Sequence, residues 1–204
     1  MLTVYFIRHG VTNYNQNRII QGQLDTPLSW QGQRQAELLA QRMCELGPQA
    51  LIASTLSRAR DTAAPVAAAT GLALKTSARW QERHFGDLQG LSLQAVEDRE
   101  AGLWRRLQLE PDLTRPGGES ARAFSWRVGD ALDSMLQVHG DLQRIAVVTH
   151  GAVLSMLCSV LLGMAPERRA QLRFDNASIT RVDFDREGGA TAHFINDTHH
   201  LSAF

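Results

Sequence analysis

The chain has 204 residues, of which 44% are apolar and 21% charged, so it is long enough to bury a sizeable core. Its 21 basic and 21 acidic residues give a formal net charge of zero, which argues against nucleic acid or an anionic membrane surface as a partner. No apolar run has the length of a membrane span and no secretory signal is recognisable, so we expect a cytoplasmic protein.

The first part of the chain alternates short apolar runs with helical patterns. Residues 2–7 form a continuous apolar run that is typical of a buried strand. A long polar loop is predicted over 11–28. Glycine and proline mark where the next elements end. The predicted elements are helices over 30–46 and 58–70, the latter kinked at Pro65, and strands over 50–53 and 72–75.

The second part begins with a loop over 81–90 and a helical pattern over 92–109. Together with a Pro- and Gly-containing loop, this pattern forms an insert over 91–118 that we interpret as a helical lid. The remaining predicted elements are a helix over 119–138, a strand over 144–149, a helix to residue 162, and strands over 179–184 and 190–195. The order predicts a single α/β domain, 1–204: a three-layer sandwich whose mainly parallel sheet has helices on both faces.

Two histidines directly follow predicted buried strands, and each precedes a glycine: His9 before Gly10, and His150 before Gly151. Ligand sites in open α/β sheets lie at the carboxyl ends of the strands. If the two strands are neighbours, both imidazoles lie over one site, and the glycines allow the backbone to approach a ligand. Neutral imidazole is a nucleophile for phosphorus, and a protonated second imidazole could stabilise phosphoryl oxygens. For each histidine considered alone, the alternative is a structural role in which it ends the strand and hydrogen-bonds its own backbone.

Arg58 is a second indication of a site for an anion. Arg58 and Arg60 occupy the first turn of a predicted helix, where positive charge opposes the helix dipole at a cost of about 0.3–1 kcal/mol. A bound phosphate would remove this conflict, because helix N-termini and arginine forks both bind phosphate. Pairing of Arg58 with Asp61 is the structural alternative.

The motifs together resemble the histidine phosphatase superfamily, which includes the cofactor-dependent phosphoglycerate mutases. RHG at 8–10 resembles its nucleophile motif, with Thr12 and Asn15 in the continuation, and STLSRARDTA at 54–63 resembles the motif whose arginine corresponds to Arg58. Glu82 lies in a segment that resembles the acid-bearing one. THG at 149–151, PGGES at 116–120 and NASIT at 176–180 resemble later motifs of the small phosphatases.

The resemblance implies a mechanism in which His9 takes the phosphoryl group as phosphohistidine. Glu82 would protonate the leaving alcohol and then activate water, and His150 would complete the catalytic set. Phosphate would be bound by Arg8, Arg58 and His150, with Gly151 also in contact and Asn15 at the margin. Residues expected at the rim of the pocket are Gln21, Gly22 and Arg83.

The resulting prediction is a metal-independent phosphomonoesterase that needs no cofactor and acts on a small phosphorylated metabolite. Neither a metal-site motif nor a P-loop is present in the sequence. One alternative is a phosphoglycerate mutase that uses 2,3-bisphosphoglycerate, although the insert looks short and Phe85 replaces the tyrosine expected in mutases. Another is a non-catalytic binding member of the fold. The sequence is compatible with a monomer or a homodimer.

Overall fold

The computed structural model describes residues 1–164, 168 and 171–202. Its strands are β1 Leu2–Arg8, β2 Ala50–Ser54, β3 Leu74–Ser77, β4 Arg144–Thr149, β5 Ile179–Phe184 and β6 Ala190–Asp197. These strands form one sheet in the order β3-β2-β4-β1-β5-β6. The pairs β3–β2, β2–β4 and β4–β1 are parallel, whereas β1–β5 and β5–β6 are antiparallel. The mainly parallel sheet is therefore confirmed, with an antiparallel extension at one edge.

Alternate residues of β1 contribute to the two cores on either side of the sheet. Val4 and Phe6 pack into the core that contains Phe124 of helix α6 (Ala121–His139) and Val153 of helix α7 (Gly151–Leu161). Tyr5 and Ile7 pack into the opposite core, which includes residues of helices α2 (Trp30–Leu46) and α3 (Ser57–Thr70). Both faces of the sheet are thus covered by helices, and the predicted three-layer sandwich is confirmed.

The insert differs from the single helical pattern predicted over 92–109. It contains two short helices, α4 (Leu93–Arg99) and α5 (Leu103–Leu109), separated at Gly102, whose φ of +76° suits glycine. These helices form a third apolar cluster with Ile20 and Phe85. The insert is fastened by hydrogen bonds from Ile20 N–H to Leu91 O and from Gly90 N–H to Ile20 O, 2.9 and 2.8 Å long. It therefore forms a wall beside the loop that follows β1.

The 11–28 segment also contains an element that the sequence analysis placed in a loop. Helix α1 (Asn13–Gln16) begins at Thr12, whose hydroxyl accepts the Asn15 N–H while the Asn15 side chain accepts the Thr12 N–H. This reciprocal capping box stabilises a single turn directly after the strand-end histidine. Helix α3 runs through Pro65. No helix within residues 1–164, 168 and 171–202 is long and apolar enough to cross a membrane.

Candidate active site

His9 and His150 lie side by side because β1 and β4 are adjacent parallel strands. Arg8 pairs with Thr149 in the register of these strands, so the two following residues leave the sheet together. The imidazole centroids are 5.2 Å apart and the rings are tilted by 58°. Both side chains are buried, with exposures of 2% and 0%. The structure thus brings together the two histidines that the strand-end pattern predicted would meet.

The hydrogen bonding of His9 leaves one ring nitrogen available as a nucleophile. Its Nδ1 lies 2.7 Å from the carbonyl oxygen of Gly10, which can only accept, so Nδ1 carries the proton and Nε2 the lone pair. Burial, followed by the charges of Arg58 and Arg8, holds the pKa of His9 well below its usual value of 6.5. The ring is therefore neutral at physiological pH, with its free lone pair on Nε2.

His150 has one satisfied and one unsatisfied ring nitrogen. Nε2 lies 2.8 Å from the hydroxyl of Ser54 at the end of β2, whereas Nδ1 is buried and has no hydrogen-bond partner in the described structure. Burial, then the charges of Arg58 and the other neighbours, holds its pKa well below 6.5. The neutral form of His150 is thus favoured in the free protein at physiological pH. A bound phosphate would oppose both effects by adding negative charge next to the ring.

Arg8 extends from the end of β1 towards the first turn of α7. One of its terminal nitrogens donates to the carbonyl of Phe174, and its Nε is buried without a hydrogen-bond partner among the residues described. A Cβ on Gly151 would lie 3.4 Å from that Nε, at the near limit of ordinary van der Waals contact, so the guanidinium lies against the start of this helix. An unpaired buried N–H beside His9 is suited to donate a hydrogen bond to a phosphate oxygen.

Arg58 is 1% exposed, and its fork is held by the loop after α1. Its two terminal nitrogens donate to the carbonyls of Leu24 and Gly22 at 2.8 and 2.7 Å, not to Asp61 as the structural alternative supposed. Its Nε has no hydrogen-bond partner in the described structure. Burial lowers the pKa of the guanidinium to about 10, which leaves it charged at neutral pH. Arg58 is thus a fixed cation, and no carboxylate in the described part of the chain is directly bound to it.

Glu82 is oriented by main-chain donors on both sides. Its two carboxylate oxygens accept the N–H groups of Arg83 at 2.9 Å and of Ala152, in the first turn of α7, at 3.1 Å. Its own carbonyl accepts side-chain donors from Gln23 and Arg127. Glu82 therefore serves as the acceptor at the start of α7, where a negative charge is favoured by the helix dipole.

Arg8, His9, Arg58 and Glu82 border a cavity of about 870 Å³, whereas His150 lies buried beside His9 and does not line it. Asn15, Gln21 and Gly22 line it, as the sequence analysis expected for the margin and rim. The Oε1 atom of Gln21 accepts hydroxyl hydrogen bonds from Thr12 and Thr26, 3.0 and 2.6 Å long, which fixes its amide. Further lining residues that the sequence analysis did not identify are Tyr14, Arg18, Leu93, Trp104, Leu172, Arg173, Phe174 and Asp175.

Arg83 does not line this cavity, contrary to the sequence-based expectation. The side chain is 4% exposed and donates to the carbonyls of Leu107 and Glu119 at 2.7 and 3.1 Å. Its guanidinium carbon also lies 5.4 Å from the centroid of the Phe85 ring. Arg83 therefore joins the insert to the start of α6. The sequence placed it next to Glu82, but successive residues of an extended segment point in opposite directions.

Several residues that support the site were not assigned a role from the sequence. Thr62 accepts the Gly10 N–H at 2.9 Å, Ser54 contacts His150, and the amide of Asn176 binds the His9 carbonyl at 3.0 Å. Packing also requires glycine at position 10, since a Cβ there would lie 2.6 Å from the carbonyl oxygen of Gly32. Among the residues described, no group of three His, Cys, Asp or Glu side chains is arranged to hold a metal ion.

A family model and a curated relative both match this sequence over nearly its whole length. The model of the histidine phosphatase superfamily (branch 1) matches residues 4–198. The sequence is 38% identical over 209 residues to a protein of Klebsiella pneumoniae named probable phosphoglycerate mutase GpmB, covering 100% of this chain and 96% of that protein.

Solved structures of similar architecture include two phosphatases. A mycobacterial glucosyl-3-phosphoglycerate phosphatase has a TM-score of 0.87 and 28% identity, with 97% of this chain and 100% of the other covered. A putative α-ribazole-5′-P phosphatase from Escherichia coli has a TM-score of 0.84 and 27% identity, with coverage of 97% and 98%.

Proposed function

Since this chain belongs to branch 1 of the histidine phosphatase superfamily, we propose that it is a phosphomonoesterase that acts through a phosphohistidine on His9. The observation that carries the proposal is the hydrogen bond from Nδ1 of His9 to the Gly10 carbonyl. It leaves a neutral Nε2 beside Arg58, which is buried, and Arg8, which is partly buried. A nucleophile with its lone pair directed at a cationic pocket is the requirement for attack on a phosphate ester.

The first half-reaction transfers the phosphoryl group to the enzyme. Nε2 of His9 forms the P–N bond as the ester P–O bond breaks, and Glu82 donates a proton to the departing alkoxide. The second half-reaction reverses these roles: Glu82 accepts a proton from water, the new P–O bond forms, and the P–N bond breaks. The products are inorganic phosphate and an alcohol, and His9 and Glu82 return to their starting protonation states.

Positive charge for both steps comes from the protein, so the proposed reaction is independent of a metal ion. Arg8 and Arg58 each have a buried Nε that lacks a hydrogen-bond partner among the described residues. Nδ1 of His150 is a third buried nitrogen without a hydrogen-bond partner among the described residues, and we infer that it donates to a phosphate oxygen when the phosphate binds beside His9. Fixed donors of this type stabilise developing negative charge without having to reorganise during the reaction. Arrival of the phosphate would raise the pKa of His150 and favour its protonation.

The size and lining of the cavity favour a substrate that is larger than phosphate and has both apolar and polar parts. Beyond the phosphate end, Phe85 and Trp104 form an aromatic wall with ring centroids 4.9 Å apart. The exposed arginines Arg18 and Arg173 line the same cavity. We therefore propose a small phosphorylated metabolite whose organic part contacts the aromatic wall and carries polar or anionic groups. Such a class includes the compounds named for the neighbouring phosphatases, a glucosylated phosphoglycerate and α-ribazole phosphate.

Phosphoglycerate mutase activity is the second candidate, favoured by the name of the relative at 38% identity. A mutase must return the phosphoryl group to a phosphoglycerate before water reaches it and uses 2,3-bisphosphoglycerate as cofactor. The short lid, with two helices of seven residues each, favours hydrolysis because it offers little cover for a phosphohistidine. A purely binding role is disfavoured because His9, Arg58 and Glu82 line one cavity and His150 packs against His9.

One assay separates these possibilities. The protein in EDTA is incubated with a panel of phosphomonoesters, and with 3-phosphoglycerate in the presence and absence of 2,3-bisphosphoglycerate, while phosphate and 2-phosphoglycerate are measured. We expect EDTA-resistant phosphate release that disappears in His9→Ala. Isomerisation with little phosphate release would establish the mutase instead. Release that persists without His9, or that EDTA abolishes, would refute the proposed mechanism.

A further inference from the structure

The segment that leads into β5 binds the main chain around the nucleophile. Because β5 is antiparallel to β1, its first residues lie beside the last residues of β1. The Ala177 N–H donates to the carbonyls of Arg8 and His9, at 3.0 and 3.1 Å, and the Arg8 N–H donates to the Ser178 carbonyl at 3.1 Å. This segment, 174–178, therefore fixes the backbone on which the nucleophile is mounted.

Asn176 extends this network with its side chain. Its Nδ2 lies 3.0 Å from the carbonyl oxygen of His9 and 3.3 Å from that of Gly10, and 3.3 Å from Oδ1 of Asn15. A primary amide carries two N–H donors on one nitrogen, whereas serine has a single donor and an ionised aspartate has none. One side chain thus binds two consecutive carbonyls. The second of them is the acceptor for Nδ1–H of His9.

The backbone that presents Asn176 is in a costly conformation. Ala177 has a φ of +58°, in the left-handed region that an alanine side chain rarely adopts. Such a conformation is unfavourable for a residue with a side chain and persists only where the surrounding structure requires it. Its N–H is directed at the carbonyls of Arg8 and His9, so the turn contributes directly to the same network. Strain retained next to a reacting group points to a function for this turn.

We propose that Asn176 is a positioning residue that holds the Gly10 carbonyl and thereby keeps His9 in the tautomer with a free Nε2. The role rests on the proposed function. Without the amide, the Gly10 peptide gains freedom to rotate and Nδ1–H can lose its acceptor. The ring proton can then move to Nε2, which can no longer attack phosphorus. Arg8 and Arg58 would still bind the phosphate, so the damage falls on the chemical step.

Two substitutions and one matched control test this role. Asn176→Ala removes both donors, and Asn176→Asp keeps the size but places only acceptors opposite two carbonyls. A displacement of 1 Å at a nucleophile costs about 10²-fold, so we expect kcat to fall by about 10- to 100-fold with little change in KM. Asn196→Gly is the control. Asn196 binds the N–H and carboxylate of Asp175 in the same segment, has a φ of +60°, and does not contact His9.

The decisive readout is which ring nitrogen of His9 carries the proton. This is measured by ¹H–¹⁵N NMR, and the His9 signals are identified by their absence in His9→Gln. Wild type should show the Nδ1–H form, and Asn176→Ala should populate the Nε2–H form. Asn176→Asp also adds negative charge near the ring, so the acid limb of kcat/KM should move to higher pH. The charged and titratable groups already around this ring are Arg8, Arg58, Glu82, His150 and Asp175.

A fall in kcat accompanied by a changed tautomer in either Asn176 variant, but not in Asn196→Gly, would support the inference. A folded Asn176→Ala or Asn176→Asp with the wild-type tautomer and with kcat equal to that of Asn196→Gly would overturn it. If Asn176→Ala does not fold, the nearly isosteric Asn176→Asp decides the question. Should wild type hydrolyse no phosphomonoester, the proposed function fails, and the NMR comparison still establishes or refutes the positioning role.

Discussion

Replacing Glu82 by glutamine tests the assignment of the general acid. The substitution keeps the size of the side chain and removes its ability to give up a proton. Its carboxylate accepts the N–H groups of Arg83 and Ala152, at 2.9 and 3.1 Å. Glutamine has one oxygen for these two donors, so one N–H loses its acceptor at a cost of about 1–3 kcal/mol. The variant should therefore fold with somewhat reduced stability.

The effect on catalysis should depend on the leaving group. An alkoxide leaves poorly without a proton, so kcat/KM for an alkyl phosphomonoester should fall by about 10²- to 10⁴-fold. The p-nitrophenolate ion leaves without one, so kcat/KM for p-nitrophenyl phosphate should fall by less than about 10-fold. Since kcat/KM reports steps only through the transfer to His9, slow hydrolysis of the phosphoenzyme does not obscure the comparison. That hydrolysis also needs Glu82, so a burst of p-nitrophenol equal to the enzyme concentration should appear.

The assay is steady-state kinetics on both esters together with a rapid-mixing trace for p-nitrophenol. Glu97→Gln is the control for loss of a carboxylate, because Glu97 lies on the insert and bonds the Gly102 N–H outside the cavity. Equal losses of kcat/KM for the two esters would refute the acid role and leave Glu82 only a part in positioning. An unchanged kcat/KM for the alkyl ester would remove Glu82 from the mechanism.

Three further results are expected. Arg83→Met should lower the free energy of unfolding by about 2–4 kcal/mol without changing KM, because this arginine donates to two carbonyls away from the cavity. A raised KM, in a variant that calorimetry shows to be folded, would contradict that placement. Burial and nearby arginines depress the pKa values of His9 and His150 in the folded protein, so below pH 6.5 the unfolded chain binds more protons than the folded chain. The free energy of unfolding should therefore decrease as the pH is lowered, by about 1.4 kcal/mol per pH unit for each histidine. Chemical denaturation from pH 7 to 5 should show a smaller slope in His150→Gln, and an equal slope would exclude this origin. Inorganic phosphate at about 100 times its Kd should stabilise wild type by about 2.7 kcal/mol, and Arg58→Met should need far more phosphate for the same rise in Tm; equal rises at equal phosphate would exclude Arg58 from the pocket.

The sheet and the meeting of His9 with His150 were predictable because both depend on regular features of sequence. Buried strands appear as continuous apolar runs, and parallel neighbours end at the same edge. The break at Gly102 within the insert was not predicted, since apolar spacing continues on both sides of it. The short helix α1 was not predicted because it lies in a polar segment without apolar periodicity, and the capping box formed by Thr12 and Asn15 is its sequence signal.

The supporting contacts of the site were less accessible from sequence. Asn176 follows no strand end, and its contact with His9 results from the antiparallel pairing of β5 with β1. Ser54 could have been found, because it ends the strand next to β4 and so reaches His150. Arg83 was misplaced because adjacency to Glu82 in sequence does not give the direction of a side chain. Its carbonyl partners at residues 107 and 119 are distant in sequence and become neighbours only in the folded chain.

The central claim, transfer of the phosphoryl group to Nε2 of His9, can be measured directly by trapping the intermediate. A ³²P-labelled phosphomonoester is mixed with the protein in EDTA, quenched in alkali within milliseconds, and the labelled peptide is sequenced by mass spectrometry. We predict one acid-labile label on Nε2 of His9, and none in His9→Ala. A label on another residue, or undiminished turnover by His9→Ala, would contradict the account.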